Sequence, residues 1–163
     1  MIQITTIEDD PMSDPVPVEV PVQIRWRDLD ALGHVNNAVY LSYFELARLA
    51  YIQALLGEEA TIDAQTHLPT DFQFILAEVT CRYRSPATLR DRLIVAIWVS
   101  QVGRKSFVFE YRIRDGRSGR LVAEGCSTQV WYDYAAGQSR PAPAGMVEKM
   151  AILQQAPIPR REQ

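Results

Sequence analysis

Residues 38–56 read AVYLSYFELARLAYIQALL, and this segment constrains the fold more than any other. It is rich in Ala and Leu, holds no Gly or Pro, and is followed by Gly57, where a helix C-cap belongs. Asn36 and Asn37 precede it as candidate N-cap residues. Its only clearly polar positions are Ser42, Glu45, Arg48 and Gln53, and the spacing of Glu45 and Arg48 allows an i,i+3 pair that neutralises itself. A helix that is apolar nearly all round must be enclosed by other structure.

The segments able to enclose it are strands. Residues 18–26 (VEVPVQIRW) alternate as a half-buried strand does, and Pro21, which lacks an N–H, places that strand at an edge or at a local break. Residues 74–84, 93–102, 106–114 and 121–132 also read as strands, with hairpin turns at Gly103-Arg104 and across residues 115–119. FVFEYRIR alternates and points Phe107, Phe109, Tyr111 and Ile113 inward. LIVAIWV is apolar on both faces, so a second subunit is expected to cover part of it. Trp26, Trp98 and Trp131 fall in strand patterns and are read as core or interface residues. A short amphipathic helix over residues 145–155 closes the domain. One long helix with about five antiparallel strands is an α+β layout, not a doubly wound sheet. The expected organisation is a flexible arm (residues 1–17), one domain (18–156) and a fraying tail (157–163).

Charge narrows the partners. The formal net charge of −3 supplies no global field for nucleic acid or an anionic membrane. Residues 81–120, however, hold ten basic residues against three acids, a local net of +7 that suits a small polyanion or a solvated, salt-bridged sheet face. No run approaches the ~20 apolar residues of a membrane span. Cys81 and Cys126 form no CxxC pair, and no signal peptide is recognisable, so a cytoplasmic protein with free thiols is expected.

The chemistry concentrates in residues 26–48, WRDLDALGHVNNAVYLSYFELAR. Asp28 and Asp30 precede Gly33 and His34, and the helix begins a few residues later. A helix start offers N–H groups without intrahelical partners and a partial positive charge, which can hold a carbonyl oxygen as it becomes an oxyanion. A carboxylate beside such a site can activate water or attack the carbonyl itself. Asp28, Asp30 and His34 make a poor metal set, His67 has no evident companion, and Ser85, Ser106 and Ser127 lack the G-x-S-x-G setting of a serine hydrolase.

The run D-x-D-x-x-G-H-V-N-N-A-x-Y followed by Y-F-E-x-A-R resembles the hotdog-fold thioesterases of the 4-hydroxybenzoyl-CoA thioesterase type. The likeness extends more loosely from Pro21 to Pro143, through YRSPATLRDRL and VGRKSFVFEYRIR. It implies a hotdog fold, a long helix wrapped by an antiparallel sheet, paired into a homodimer or homotetramer. It implies an acyl-CoA thioesterase with Asp30 as the catalytic carboxylate. The backbone N–H of Asn36 or Asn37 would polarise the thioester, and His34 would orient the carboxylate, water or substrate. Asp28, Tyr40, Glu45 and Arg48 match supporting positions, Tyr40 being also a candidate substrate contact. Leu29 and Leu32 are bulkier than many members carry there, which bears on the acyl pocket. Arg104, Lys105 and Ser106, on the basic hairpin, are candidate contacts for the phosphates of the acyl-CoA substrate. No metal or redox cofactor is required, and an acyl-carrier protein could replace coenzyme A. The alternatives are a hotdog dehydratase or hydratase, which would release no free thiol, and a non-catalytic acyl-binding module.

Overall fold

Five long strands run antiparallel in the spatial order β1-β3-β4-β5-β2: β1 (Val18–Val22), β2 (Phe74–Tyr83), β3 (Leu93–Val102), β4 (Ser106–Asp115) and β5 (Leu121–Asp133). A two-residue strand, β6 (Gln138–Ser139), pairs with the end of β5. The computed structural model of the chain describes residues 14–57, 63, 64, 67 and 69–161, so the arm expected over residues 1–17 lies outside the described residues up to residue 13. β1 is an edge strand, and Pro21 sits in it opposite Ile94, as its missing donor requires. The hairpin turns fall at Gly103-Arg104 and within residues 115–119 as read, with Asp115 itself closing β4.

The helix α1 (Val39–Leu56) packs on the inner face of this sheet. Phe107, Phe109, Tyr111 and Ile113 of β4 are buried beneath it, as their alternation predicts. Phe44 stacks on Tyr111 with ring centroids 4.1 Å apart, and Tyr51 meets Phe109 edge-on at 4.9 Å. Phe44 also lies against β5 at Gly125. A Cβ there would come 2.1 Å from the Thr80 carbonyl oxygen and 3.0 Å from the Phe44 ring, so only glycine fits. A second helix, α2 (Met146–Leu153), buries Met146 and Met150 and contacts α1. No helix among the described residues is long and apolar enough to cross a membrane.

Several expectations need correction. α1 is enclosed on one side only: Tyr40, Tyr43, Phe44, Ala47, Tyr51 and Ile52 are buried, while Leu41, Leu46 and Leu49 are exposed. One sheet covers one helix face, and Leu41, Leu46 and Leu49 stay uncovered by the other described residues of the chain. Glu45 and Arg48 do not pair; Arg48 turns inward and donates to the Tyr111 hydroxyl at 3.2 Å. Within the chain, the outer-face Trp98 of β3 is half-buried beneath the Arg112 guanidinium, 5.7 Å from the ring centroid. At the other edge of the sheet, β2 exposes Ile75 and Leu76. Trp26 lies outside the core and outside β1, 79% exposed in a three-residue 3₁₀ turn, whereas Trp131 is buried. The tail does not fray over its described length, because Val102 exchanges backbone bonds with Pro159 and Arg161.

Candidate active site

The segment between β1 and α1 folds into a short hairpin of its own. Leu29 bridges Val35, the Asp30 N–H donates to the His34 carbonyl at 2.8 Å, and Gly33 adopts φ 77° at the tip. The Asp30 carboxylate closes this turn from inside: its Oδ1 accepts the N–H of Leu32 at 2.8 Å and that of His34 at 3.3 Å. Oδ2 receives no hydrogen bond from the described residues. Asp30 is therefore held by one oxygen and presents the other.

The hairpin is anchored through Asp28, which is 2% exposed. The Arg25 guanidinium grips both carboxylate oxygens, with Nη2 to Oδ1 at 2.9 Å, and the Arg25 N–H reaches Oδ2 at 2.8 Å. Tyr43, on the buried face of α1, donates its hydroxyl to Oδ2 at 3.0 Å. Burial pushes the Asp28 carboxyl up, but the bonds from Arg25 and Tyr43 outweigh it and hold the group below the usual carboxylate range. The same contact, together with burial, raises the Tyr43 hydroxyl far above an ordinary phenol. Sequence reasoning named Asp28 only as a supporting position and missed Arg25 and Tyr43. Tyr43 had a legible signal, a polar tip on the buried stripe of α1, but nothing local paired it with a residue fifteen positions earlier.

At the helix start the two asparagines part company. The Asn36 N–H is spent on the Asp28 carbonyl at 2.8 Å, which corrects its candidacy as an oxyanion donor. Its side chain accepts the Ala38 N–H at 2.9 Å, and Ala38, in helical backbone, is the N-cap. The Asn37 N–H has no acceptor among the described residues, while its carbonyl accepts the Tyr83 hydroxyl from the end of β2. No described residue bonds the His34 imidazole. Tyr40 is 3% exposed between the rings of Tyr43 and Tyr83, so it supports the site from beneath. Leu32 and Trp26, on the same segment, are each 79% exposed.

Arg104, Lys105 and Ser106 lie elsewhere. They occupy the β3–β4 turn, whereas the Asp30 hairpin is at the other end of the sheet, where Val22 pairs Leu93 and Leu93 pairs Asp115. Ten residues of β4 separate the two ends, roughly 30 Å of strand. Lys105 is fixed to Ser139 by bonds of 3.2 and 3.3 Å. Within one chain this turn cannot meet a substrate held by Asp30 unless the ligand spans the sheet.

A polar seam that the sequence did not disclose runs under α1. Arg48 donates to Tyr111, whose hydroxyl shares a 2.5 Å bond with Ser127, and Gln129 donates its amide to the same Ser127 hydroxyl. The Tyr51 hydroxyl and Gln129 Oε1 are buried without a partner among the described residues. Among the described residues no three His, Cys, Asp or Glu side chains gather as metal ligands.

With this geometry in place, comparisons with known proteins are informative. The sequence profile of the thioesterase-like superfamily matches residues 24–150. The chain is 29% identical to the long-chain acyl-CoA thioesterase FadM of Escherichia coli over 116 residues, which cover 71% of this chain and 83% of that protein. It is 33% identical to the acyl-CoA thioesterase YbgC of Haemophilus influenzae over 93 residues, 57% of this chain and 65% of that one. Among solved structures, a Thermus thermophilus thioesterase complexed with coenzyme A and Zn superposes with a TM-score of 0.75 at 33% identity, covering 90% of this chain and all of that one.

Proposed function

The chain belongs to the thioesterase-like superfamily, and from that premise we propose that it hydrolyses acyl-coenzyme A thioesters to a free acid and coenzyme A, with Asp30 as the reacting carboxylate. The observation that carries this reading is the half-committed state of Asp30, with Oδ1 pinned by two loop amides and Oδ2 open. A carboxylate restrained in this way has lost most of its rotational freedom before substrate arrives, yet keeps one oxygen for chemistry. With the thioester carbonyl against the Asn37 N–H, Oδ2 either takes a proton from the attacking water or attacks the carbonyl carbon itself, giving an anhydride that water then opens to the free acid and the Asp30 carboxylate. Both routes use the same oxygen. Coenzyme A departs as a thiolate, and a thiol with a pKa of about 8.5 needs no strong acid to leave. His34, with its imidazole unengaged, faces the same loop and serves to orient water or substrate. The exposed apolar side chains of Trp26 and Leu32, on the same segment, are candidate contacts for the acyl group.

The working unit in this reading is a homodimer joined through β2. That edge is ten residues long, open on one side, and exposes Ile75 and Leu76, the kind of strand that a second copy covers. A two-fold axis pairing β2 with its copy antiparallel brings the Tyr83 end of one protomer beside the Phe74 end of the other. The Asp30 hairpin adjoins the first end, and the turn bearing Arg104, Lys105 and Ser106 adjoins the second. The separation of about 30 Å within one chain is thus removed by the partner, and the basic turn of one protomer serves the phosphates of a substrate held by the other. The two unpaired thiols suit a reducing, cytoplasmic setting.

The test is release of free thiol from a panel of acyl-coenzyme A thioesters by wild type and Asp30→Asn. Turnover by wild type that falls by about 10²–10⁴ in the variant is expected. A variant as active as wild type removes Asp30 from the mechanism, and hydration without thiol release would make the protein a hydratase.

A further inference from the structure

The ten basic residues of the central stretch divide by place in the fold, with Arg82 exposed on β2. Arg84, Arg114 and Arg120 are ion-paired, to Glu124, Glu19 and Asp91. Arg112 covers Trp98, and Arg104 and Lys105 occupy the β3–β4 turn. Arg90, Arg92 and Arg117 converge on a single cleft of about 1000 Å³, bordered by the end of β1, the loop into β3 and the β4–β5 turn. Among the described residues none of these three guanidinium groups has a carboxylate within ion-pair distance.

Nearby acids do exist, and each is committed. Asp91 borders the cleft, but its Oδ1 is held by Arg120 at 2.7 Å and its Oδ2 by the Thr88 N–H at 2.7 Å. Asp115 is buried, with its oxygens spent on Arg92 N–H and on the Ser118 N–H and hydroxyl. These same bonds fix the three arginine backbones. Asp91 closes the turn that carries Arg90, Arg92 is tied on both sides to the β4–β5 turn, and Arg117 sits within that turn. Three forks with uncommitted donors therefore stand on rigid backbone around a concave space whose acids are neutralised elsewhere. Guanidinium forks match the oxygens of phosphate, and a cleft with low-dielectric walls concentrates their field. The cleft lies at the β1 edge, four strand spacings or roughly 19 Å from the β2 edge, so a partner on β2 leaves it open.

We propose that this cleft is a binding site for a phosphate-bearing small molecule, held by Arg90, Arg92 and Arg117. The assignment does not depend on the role of Asp30. Inorganic pyrophosphate is the probe, titrated calorimetrically into the full chain. Each single Arg→Ala variant at the three positions is expected to bind about tenfold more weakly, and R90A/R92A/R117A to show no binding. Substitution by lysine at the same positions, which keeps charge but loses the fork, should fall between. All three side chains lie outside the core, so the variants should retain the wild-type thermal transition. Absence of pyrophosphate binding by wild type at millimolar concentration would overturn the proposal. So would a triple variant that binds as wild type does, or binding lost through R104A/K105A instead. The source of the phosphate is read in the same proteins. An unchanged KM for acyl-coenzyme A in the triple variant identifies a separate phosphorylated ligand, and a KM raised in step with lost pyrophosphate binding identifies the substrate's own phosphates.

Discussion

Replacing Tyr43 with Phe tests the anchor beneath the Asp30 hairpin. Asp28 has four donor atoms around its carboxylate, and three of them belong to Arg25, three residues away in the same turn. The Tyr43 hydroxyl is the one that ties the turn to α1. A hydrogen bond to a charged acceptor contributes about 1.5–3 kcal/mol, and the lower end applies here because Arg25 still satisfies Oδ2 when the hydroxyl is gone. About 1.5 kcal/mol corresponds to a loss of roughly 3–6 °C in Tm for a chain of this size. The effect has a pH signature. Asp28 is depressed in the folded state, so its stabilisation is complete above the unfolded carboxylate value of about 3.9 and is lost as pH falls through the folded one. The Tyr43 share belongs to the ionised form, and its removal raises the folded value. The stability difference between Tyr43→Phe and wild type should be full at pH 7 and should narrow below about pH 4. Urea unfolding followed by tryptophan fluorescence at several pH values measures both, and kcat on the best thioester reports the freed hairpin. A difference below about 0.5 kcal/mol at pH 7, or one that persists unchanged into acid, would refute the anchor and leave only a packing contact.

Gly125→Ala should cost about 1–3 kcal/mol or more in urea, since the new methyl meets the Thr80 carbonyl in the neighbouring strand and the Phe44 ring. Tyr51→Phe should be neutral or stabilising by about 1 kcal/mol, because the hydroxyl it removes is buried without a partner; a destabilised variant would mean that the hydroxyl is bonded in solution. Leu76→Lys, which places a charge on the open β2 edge, should convert a dimer to a monomer by light scattering and lower thioester turnover with it; a dimer that survives would put the interface elsewhere.

Much of the architecture was legible because it is written locally. Alternation along residues 106–114 and the glycines at the hairpin turns needed only nearest neighbours to be read, and Pro21 announced an edge strand by its missing donor. The D-x-D run was recognisable by its likeness to a family motif, and the tight turn of residues 30–34 within it is set by short-range bonds, those from Leu32 and His34 to Asp30 among them. What failed were statements about which groups meet across the fold. Glu45 and Arg48 had the right spacing for a pair, but the Tyr111 hydroxyl, sixty-three residues away, offered Arg48 a buried partner that helix geometry alone could not foresee. The apolar helix did demand cover, yet one sheet has one inner face, so the exposed stripe of Leu41, Leu46 and Leu49 is a fact of layer geometry and not of composition.

Sequence alone therefore determined most of the elements and the antiparallel class, since each depends on periodicity or on a turn a few residues long, and a family resemblance singled out Asp30 as the carboxylate proposed to react. Tertiary structure decided the rest. It spent Asn36 and left the amide of Asn37 open, and it joined Asp28 to Tyr43. It put the basic β3–β4 turn at the far end of the sheet from Asp30, and gathered Arg90, Arg92 and Arg117 at one edge. These outcomes follow from strand order and register, and they depend on how many residues separate two points along a strand and on which strand lies between them. No local pattern carries that information, because the same alternation is satisfied by any order of the strands.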